Sequence, residues 1–171
     1  LDINQDGNND ITFNFVAETN RAYLWADFPN GQFQKQDGIF NFVSNIPSGN
    51  PISSNQSFID PDLRGYLFVK STYTNITVNS YGTTYSSYVS NLNGPFSSFP
   101  STGYLGVKFN IDGNTHYGWI YITIDGSPEN PELTIHDYAY EDVPDMSINA
   151  GDRGIPTSTI SNSITQDLAL T

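Results

Sequence analysis

Cysteine is absent from this chain of 171 residues, which excludes disulfides, thiolate catalysis and cysteine-bound zinc. Basic residues are scarce: 6 Lys and Arg stand against 18 Asp and Glu, giving a net charge of −12. A surface of this sign repels nucleic acid and anionic membranes. No stretch approaches the ~20 consecutive apolar residues that span a bilayer, so we expect no direct membrane insertion in this segment.

Helical periodicity is also missing, because no window repeats apolar residues at the i, i+3, i+4, i+7 spacing. Apolar and polar residues alternate instead, as in Ile11, Phe13 and Phe15. The alternation and the Gly, Pro and Asn breaks predict nine strands, at 11–17, 21–26, 38–44, 66–71, 74–80, 83–90, 104–110, 116–125 and 132–140. We therefore expect an all-β fold, an antiparallel β-sandwich that is jelly-roll-like.

The length fits one domain, and we assign residues 1–156 to a single β-sandwich. Residues 45–62, rich in Ser, Pro and Asn, predict a long ordered loop. Residues 157–171 are polar and predict a linker, or alternatively a last strand that includes Ile160, Ile164 and Leu168. The expected core is shared by residues far apart in the chain: Ile11, Phe13, Phe15, Leu105, Val107, Phe109, Ile120, Ile122 and Ile135.

The first ten residues, LDINQDGNND, alternate acidic or amide side chains with other residues. Gly7 follows the third of these side chains, where the sharp bend of a calcium loop needs a glycine. The spacing predicts a Ca²⁺ site built from four side chains and one backbone carbonyl: Asp2, Asn4, Asp6, the carbonyl of Asn8, and Asp10. Phe13 stands where an EF-hand loop would carry its bidentate Glu. The alternative is an acidic, solvated turn without a metal.

This loop resembles the aspartate-rich calcium loops of dockerins, thrombospondin type 3 repeats and integrin-type β-propeller repeats, whose pattern is D-x-[DN]-x-D-G-x-x-D. The resemblance implies a metal site and no particular fold. Further along, the chain carries YLGVKF at 104–109, HYGWI at 116–120, DYAYE at 137–141 and INAG at 148–151. These segments resemble a family of exported bacterial proteins that often carry sorting signals of the PEP-CTERM type. That resemblance implies an extracellular or cell-surface location and no specific activity.

Composition points to the same compartment. Only 14% of residues are charged, and there are 11 Tyr and 11 Phe. A polar, aromatic, lysine-poor and cysteine-free mixture is typical of secreted or surface-displayed bacterial β proteins.

An aromatic surface is predicted on the hairpin formed by 116–125 and 132–140. Simple pairing through 126–131 sets Trp119 opposite Tyr138, and alternate residues share a face. One face then carries the candidate ligand-binding residues Tyr117, Trp119, Tyr121, His136, Tyr138 and Tyr140. Such rings could stack on sugars. The alternative is that this face lies inside the sandwich or under the 45–62 loop.

No hydrolase, metalloprotease or phosphate-loop motif occurs, so we expect a protein that is not an enzyme. The function predicted first is non-catalytic recognition of carbohydrate by a calcium-stabilised, secreted or cell-surface module. The alternative is a structural or adhesive building block, such as a surface-layer or fibre subunit. The corresponding partners are polysaccharide or neighbouring surface subunits.

Overall fold

The computed structural model describes residues 1–38 and 40–153. These residues form ten strands and no helix. In chain order the strands are β1 (Thr12–Glu18), β2 (Arg21–Asp27), β3 (Gly31–Phe33), β4 (Pro51–Ile52), β5 (Gly65–Val78), β6 (Thr84–Asn93), β7 (Ser101–Ile111), β8 (Asn114–Ser127), β9 (Asn130–Tyr140) and β10 (Ile148–Asn149).

Eight of these strands form two four-stranded sheets. Sheet 1 has the order β1-β2-β5-β6, and sheet 2 has the order β3-β7-β8-β9. Strands β4 and β10 form a separate two-stranded ribbon. All of these strand pairs are antiparallel, and the two large sheets pack together. The predicted all-β antiparallel sandwich is confirmed.

The core lies between the inner faces of the two sheets. Leu24 and Phe68 point inward from sheet 1, and Leu105 and Ile120 point inward from sheet 2. Burying such side chains supplies about 25 cal/mol per Å² of apolar surface, which is the main force holding the sheets together. The predicted core is confirmed. Its buried members are Ile11, Leu105, Val107, Phe109, Ile120, Ile122 and Ile135, while Phe13 and Phe15 pack against them half-buried.

A second layer covers the outer face of sheet 2. We call it the cover, and it consists of residues 45–58 and 148–152. Its apolar members Ile46, Ile52 and Ile148 are buried in a cluster separate from the main core. The backbone N–H of Ile46 donates to the carbonyl of Tyr104 at 2.9 Å, which ties the cover to β7. The predicted loop over 45–62 therefore contains β4 and packs on a sheet.

Several strand boundaries differ from the predictions. The segment 66–71 and residues 74–78 of the next predicted segment belong to one long strand, β5, because no turn interrupts them. Residues 38–44 form no strand within their described part, where Phe42 and Val43 make only isolated bridges. The short strands β3, β4 and β10 are too brief to leave an alternation signal. The two alternatives for 157–171, and the end of the assigned domain at 156, lie outside the described residues.

Candidate functional site

The N-terminal loop, residues 1–10, closes on itself through the backbone. The carbonyl of Leu1 accepts hydrogen bonds from the N–H groups of Asp10 and Ile11, at 2.9 and 3.0 Å. Gln5 and Gly7 have positive φ angles, 60° and 91°. The glycine adopts this left-handed conformation without strain, so the chain can bend where the sequence predicts a bend.

The carboxylates of this loop bind its own backbone. Asp2 accepts from the N–H groups of Asp6 and Gly7, at 3.2 and 2.8 Å. Asp10 accepts from the N–H of Ile3 at 2.9 Å. The backbone N–H of Asn8 donates to Asp6 at 2.8 Å and lowers the pKa of that carboxyl. These bonds hold the loop in a ring, with the side chains of the predicted ligands attached along it.

The fit of this ring to Ca²⁺ is incomplete. Calcium requires six to eight oxygen ligands at roughly 2.3–2.6 Å. Within 1–38 and 40–153, no three acidic, cysteine or histidine side chains are grouped so that they could hold a metal ion. The oxygens of Asp2, Asn4, Asp6 and Asp10 accept hydrogen bonds from backbone N–H or amide groups of the loop. Calcium binding by the loop stays a prediction from the sequence.

The register between β8 and β9 decides which aromatic side chains share a face. A β-bulge beside Tyr121 shifts the pairing, so Trp119 lies opposite Ala139 and not opposite Tyr138. One extra residue moves every later side chain to the other face of the sheet. The prediction that Tyr138 and Tyr140 share the outer face is therefore wrong, because both pack against the main core. Burial there raises the pKa of both phenols.

Tyr117 and Trp119 do lie on the outer face, but the cover buries them. Their exposed fractions are 3% and 2%. The Trp119 ring contacts Tyr104 edge-on at a centroid distance of 5.3 Å, and its indole N–H donates to the carbonyl of Asp152. The prediction of an accessible aromatic platform is wrong at these two positions. The alternative, that the loop over 45–62 covers them, holds here.

Tyr121 and His136 are the two members of the predicted ligand face that stay accessible on the outer face. His136 is exposed and Tyr121 is half-buried, with ring centroids 5.0 Å apart. The Nε2 atom of His136 lies 2.7 Å from the hydroxyl of Thr123, which lies 2.9 Å from the hydroxyl of Thr102. This short polar row can exchange hydrogen bonds with a ligand, but it offers little surface for stacking.

An open cleft of about 510 Å³ lies between the N-terminal loop and strands β3 and β7. Amide and charged side chains from both sides line it, together with Phe28 and Pro29 at the β2–β3 turn: Asn4, Asp6, Asp10, Asn30, Gln32, Lys108 and Asn110. A concave surface with several amide donors and acceptors can bind a polar ligand.

Strands β5 and β6 extend well beyond the core as a hairpin. We call residues 72–90 the hairpin arm. None of its side chains is buried, whereas Leu67 and Phe68 at its base are fully buried. Tyr81 at the tip is 92% exposed and Tyr88 on β6 is 83% exposed. Further large side chains are exposed along both faces of the arm: Tyr73, Ile76, Val78 and Tyr85.

The hairpin arm carries no charged residue. The chain contains no Asp, Glu, Lys, Arg or His from Ser71 to Val107, although its net charge is −12. The ion pair between Lys70 and Glu129 lies at the base of the arm, where sheet 2 ends opposite β5. The uncharged run was the sequence signal that could have identified this surface, because exposed strands normally carry charged side chains.

The two histidines occupy different surroundings. His116 is buried, and its Nδ1 atom lies 2.8 Å from the carbonyl oxygen of Glu141. His136 belongs to the polar row described above. Neither imidazole has a hydrogen bond to a carboxylate among the bonds of the described residues. In the same part of the chain, no helix is long and apolar enough to cross a membrane.

No protein-family model matches the chain, and neither a curated protein nor a solved structure matches it. The likenesses to calcium loops and to exported bacterial proteins therefore stay resemblances between short motifs.

Proposed function

We propose that this protein is a non-catalytic building block of a bacterial cell surface, structural or adhesive, which makes contact through its hairpin arm. The observation that carries the proposal is the arm itself: a long, exposed and uncharged hairpin in a strongly acidic chain. It contributes little to the core, since its side chains lie outside the sandwich.

The chemistry of the arm suits contact with another surface. Tyrosine combines a large apolar ring with a hydroxyl, and it is enriched at protein interfaces. Exposed apolar patches on soluble domains usually mark interaction sites. The rings of Tyr81 and Tyr88 are exposed, so packing within this molecule does not explain why large aromatic residues stand at these positions. Contact with a partner explains them.

An extracellular location and calcium bound by the N-terminal loop are part of this proposal. They rest on the composition and on the motif over residues 2–10. The carbohydrate-recognition hypothesis loses its main support, because the cover buries Trp119.

Beads coated with the folded protein test the proposal directly. Wild-type beads should attach to bacterial cells or to each other. The variant Tyr81→Ser/Tyr85→Ser/Tyr88→Ser should lose most of this attachment while keeping the wild-type melting temperature, because the three rings are exposed. Circular dichroism would check the fold.

A matched control removes similar apolar surface elsewhere. Phe40, Leu63 and Met146 are also exposed, with Phe40 at 69%. The variant Phe40→Ser/Leu63→Ser/Met146→Ser should attach like the wild type. Equal loss in both triple variants would point to nonspecific stickiness and contradict a role for the arm.

A second candidate function is carbohydrate recognition in the cleft beside the N-terminal loop. The amides of Asn30, Gln32 and Asn110 line that cleft and could bind sugar hydroxyls. A glycan array probed with and without calcium would test it. Binding that disappears in the Gln32→Ala and Asn110→Ala variants would favour this function over the building block.

A further inference from the structure

The outer edge of the hairpin arm has backbone groups that no described strand pairs with. Strand β6 is the last strand of sheet 1, and β5 is its sole neighbour among the described strands. At the turn, the N–H of Asn79 donates to the carbonyl of Thr83, so these two residues form a hydrogen-bonded pair. Such pairs alternate with non-hydrogen-bonded pairs along an antiparallel ladder.

This alternation identifies the residues that face outward. We count along the observed register from the hydrogen-bonded 79–83 pair, so that every second pair lacks mutual backbone hydrogen bonds. These pairs are 78–84, 76–86, 74–88, 72–90 and 70–92. On β6, the backbone N–H and C=O groups that point away from β5 therefore belong to Thr84, Ser86, Tyr88, Ser90 and Leu92.

The edge of β6 also lacks the devices that protect exposed edges. Natural proteins usually block an edge strand with lysine, proline, inward charges or a bulge. β6 has no proline or charged residue, and its pairing with β5 is regular. The opposite edge of sheet 1 ends in Glu18, and the β9 edge of sheet 2 carries Pro131, Glu132 and Asp137.

We propose that β6 binds the β6 strand of a second copy of this chain, antiparallel and centred on Tyr88. The proposal rests on the building-block function and names its partner. In this register Tyr88 lies opposite Tyr88 of the second copy, Ser86 lies opposite Ser90, and Thr84 lies opposite Leu92. Five outward residues on each strand would exchange about ten backbone hydrogen bonds. Sheet 1 would become a continuous eight-stranded sheet.

Charge favours a second copy at this edge. Two molecules that each carry −12 repel each other across most of their surfaces. The β6 edges are where two copies can approach without placing like charges opposite each other, since neither strand is charged. The contact has two-fold symmetry, so each copy uses the same strand and the assembly closes as a dimer.

Sedimentation velocity on the full chain tests the dimer from about 1 µM to about 1 mM, the Kd range of weak specific contacts. The wild type should dimerise with rising concentration. Ser86→Pro should raise the Kd by about tenfold or more, because proline removes an outward N–H and blocks the edge. The same change spares the β5–β6 ladder, so circular dichroism and melting should not change.

Charge placement provides a matched pair of variants. Ser86→Lys puts a charge on the edge, whereas Thr74→Lys puts it on the same face but on β5. Both changes reduce the net negative charge equally. Ser86→Lys should weaken the dimer and Thr74→Lys should not.

A cysteine placed at the symmetry axis tests the register. The chain has no cysteine, so Tyr88→Cys introduces a single thiol. A hydrogen-bonded antiparallel pair has its Cα atoms about 5.5 Å apart, within the range of a disulfide. Mild oxidation should therefore cross-link Tyr88→Cys. Tyr81→Cys, at the more exposed tip, should cross-link far less, because the two tips point to opposite ends of the dimer.

Four results on the full chain and its point variants would overturn the proposal. They are a monomer at all concentrations, a dimer that Ser86→Pro does not weaken, open polymers in place of dimers, and equal cross-linking at positions 81 and 88. Dimerisation that appears only after removal of 157–171 would assign the edge to the chain's own segment and overturn it too. A monomer whose arm still attaches to cells in the bead assay would refute the dimer and leave the adhesive function intact.

Discussion

Replacement of Trp119 tests how the cover is attached to the sandwich. The ring is 2% exposed, lies edge-on to Tyr104, and its indole N–H donates to the carbonyl of Asp152. Emptying a packed aromatic site costs about 3–5 kcal/mol. For a domain stabilised by about 5–15 kcal/mol, Trp119→Ala should remove a large part of the free energy of unfolding. Trp119→Phe should cost less, since it keeps most of the packing.

Trp25 supplies the matched control, because it is the other tryptophan of the chain. It is half-buried, with the Arg64 guanidinium 4.7 Å from its ring and its indole N–H bonded to Asp27 at 3.0 Å. A partly solvated cation–π contact contributes about 0.5–1 kcal/mol, so Trp25→Ala should cost about 1–2 kcal/mol.

Urea denaturation followed by circular dichroism measures both variants. We expect Trp119→Ala to lose at least about 1 kcal/mol more of the free energy of unfolding than Trp25→Ala. Limited proteolysis should also cut the cover faster in Trp119→Ala than in the wild type. If Trp119→Ala is as mild as Trp25→Ala and the cover stays resistant, the assignment of Trp119 to a structural cluster is refuted.

Three further outcomes are expected. Excess chelator should lower the melting temperature, because it removes calcium that binds residues 2–10 of the folded state and stabilises only that state. An unchanged melting temperature, together with no metal by elemental analysis, would contradict the calcium site. Gly94→Ala should cost about 1–3 kcal/mol in a urea melt, because φ is +119° there and a Cβ would lie 2.5 Å from the Leu67 carbonyl oxygen; a neutral effect would contradict the base of the arm as described. Stability should fall as the pH rises above about 10, because burial raises the folded-state pKa of Tyr138 and Tyr140 and the unfolded phenols ionise first. Replacing both with Phe should remove that part of the loss, and an identical pH dependence in the double variant would refute the assignment.

The sandwich and its core could be predicted from the sequence because their signal is local and repeated. A strand that faces a core places an apolar residue at every second position, as Leu105, Val107 and Phe109 do in β7 and Ile120, Ile122 and Ile124 do in β8. The cover has no such signal. Its residues are held by contacts distant in sequence, such as the pairing of Ile52 with Ile148. Its position on sheet 2 therefore had to come from the structure.

Part of the predicted aromatic face was wrong because of a single residue of register, apart from the burial of Tyr117 and Trp119 by the cover. Thr123 lies opposite Thr134, as simple pairing requires, but the bulge beside Tyr121 displaces everything beyond it. Side chains alternate with a period of two, so a shift of one residue sends Tyr138 to the core. Neither strand contains a glycine or proline near the bulge that would have indicated it. Face assignments taken from a hairpin turn hold only as far as the first bulge.

The sequence signal of the hairpin arm is an absence, the absence of charge. The alternation of apolar and polar residues in the arm predicts strands. The same alternation cannot show that these strands extend past the opposite sheet. The uncharged run from Ser71 to Val107 distinguishes this part of the sequence from the rest of a chain with a net charge of −12. An exposed edge without charge risks pairing with any other strand. Such an edge can persist in a strongly acidic protein if the pairing has a use, because the acidic surface elsewhere restricts approach to the arm.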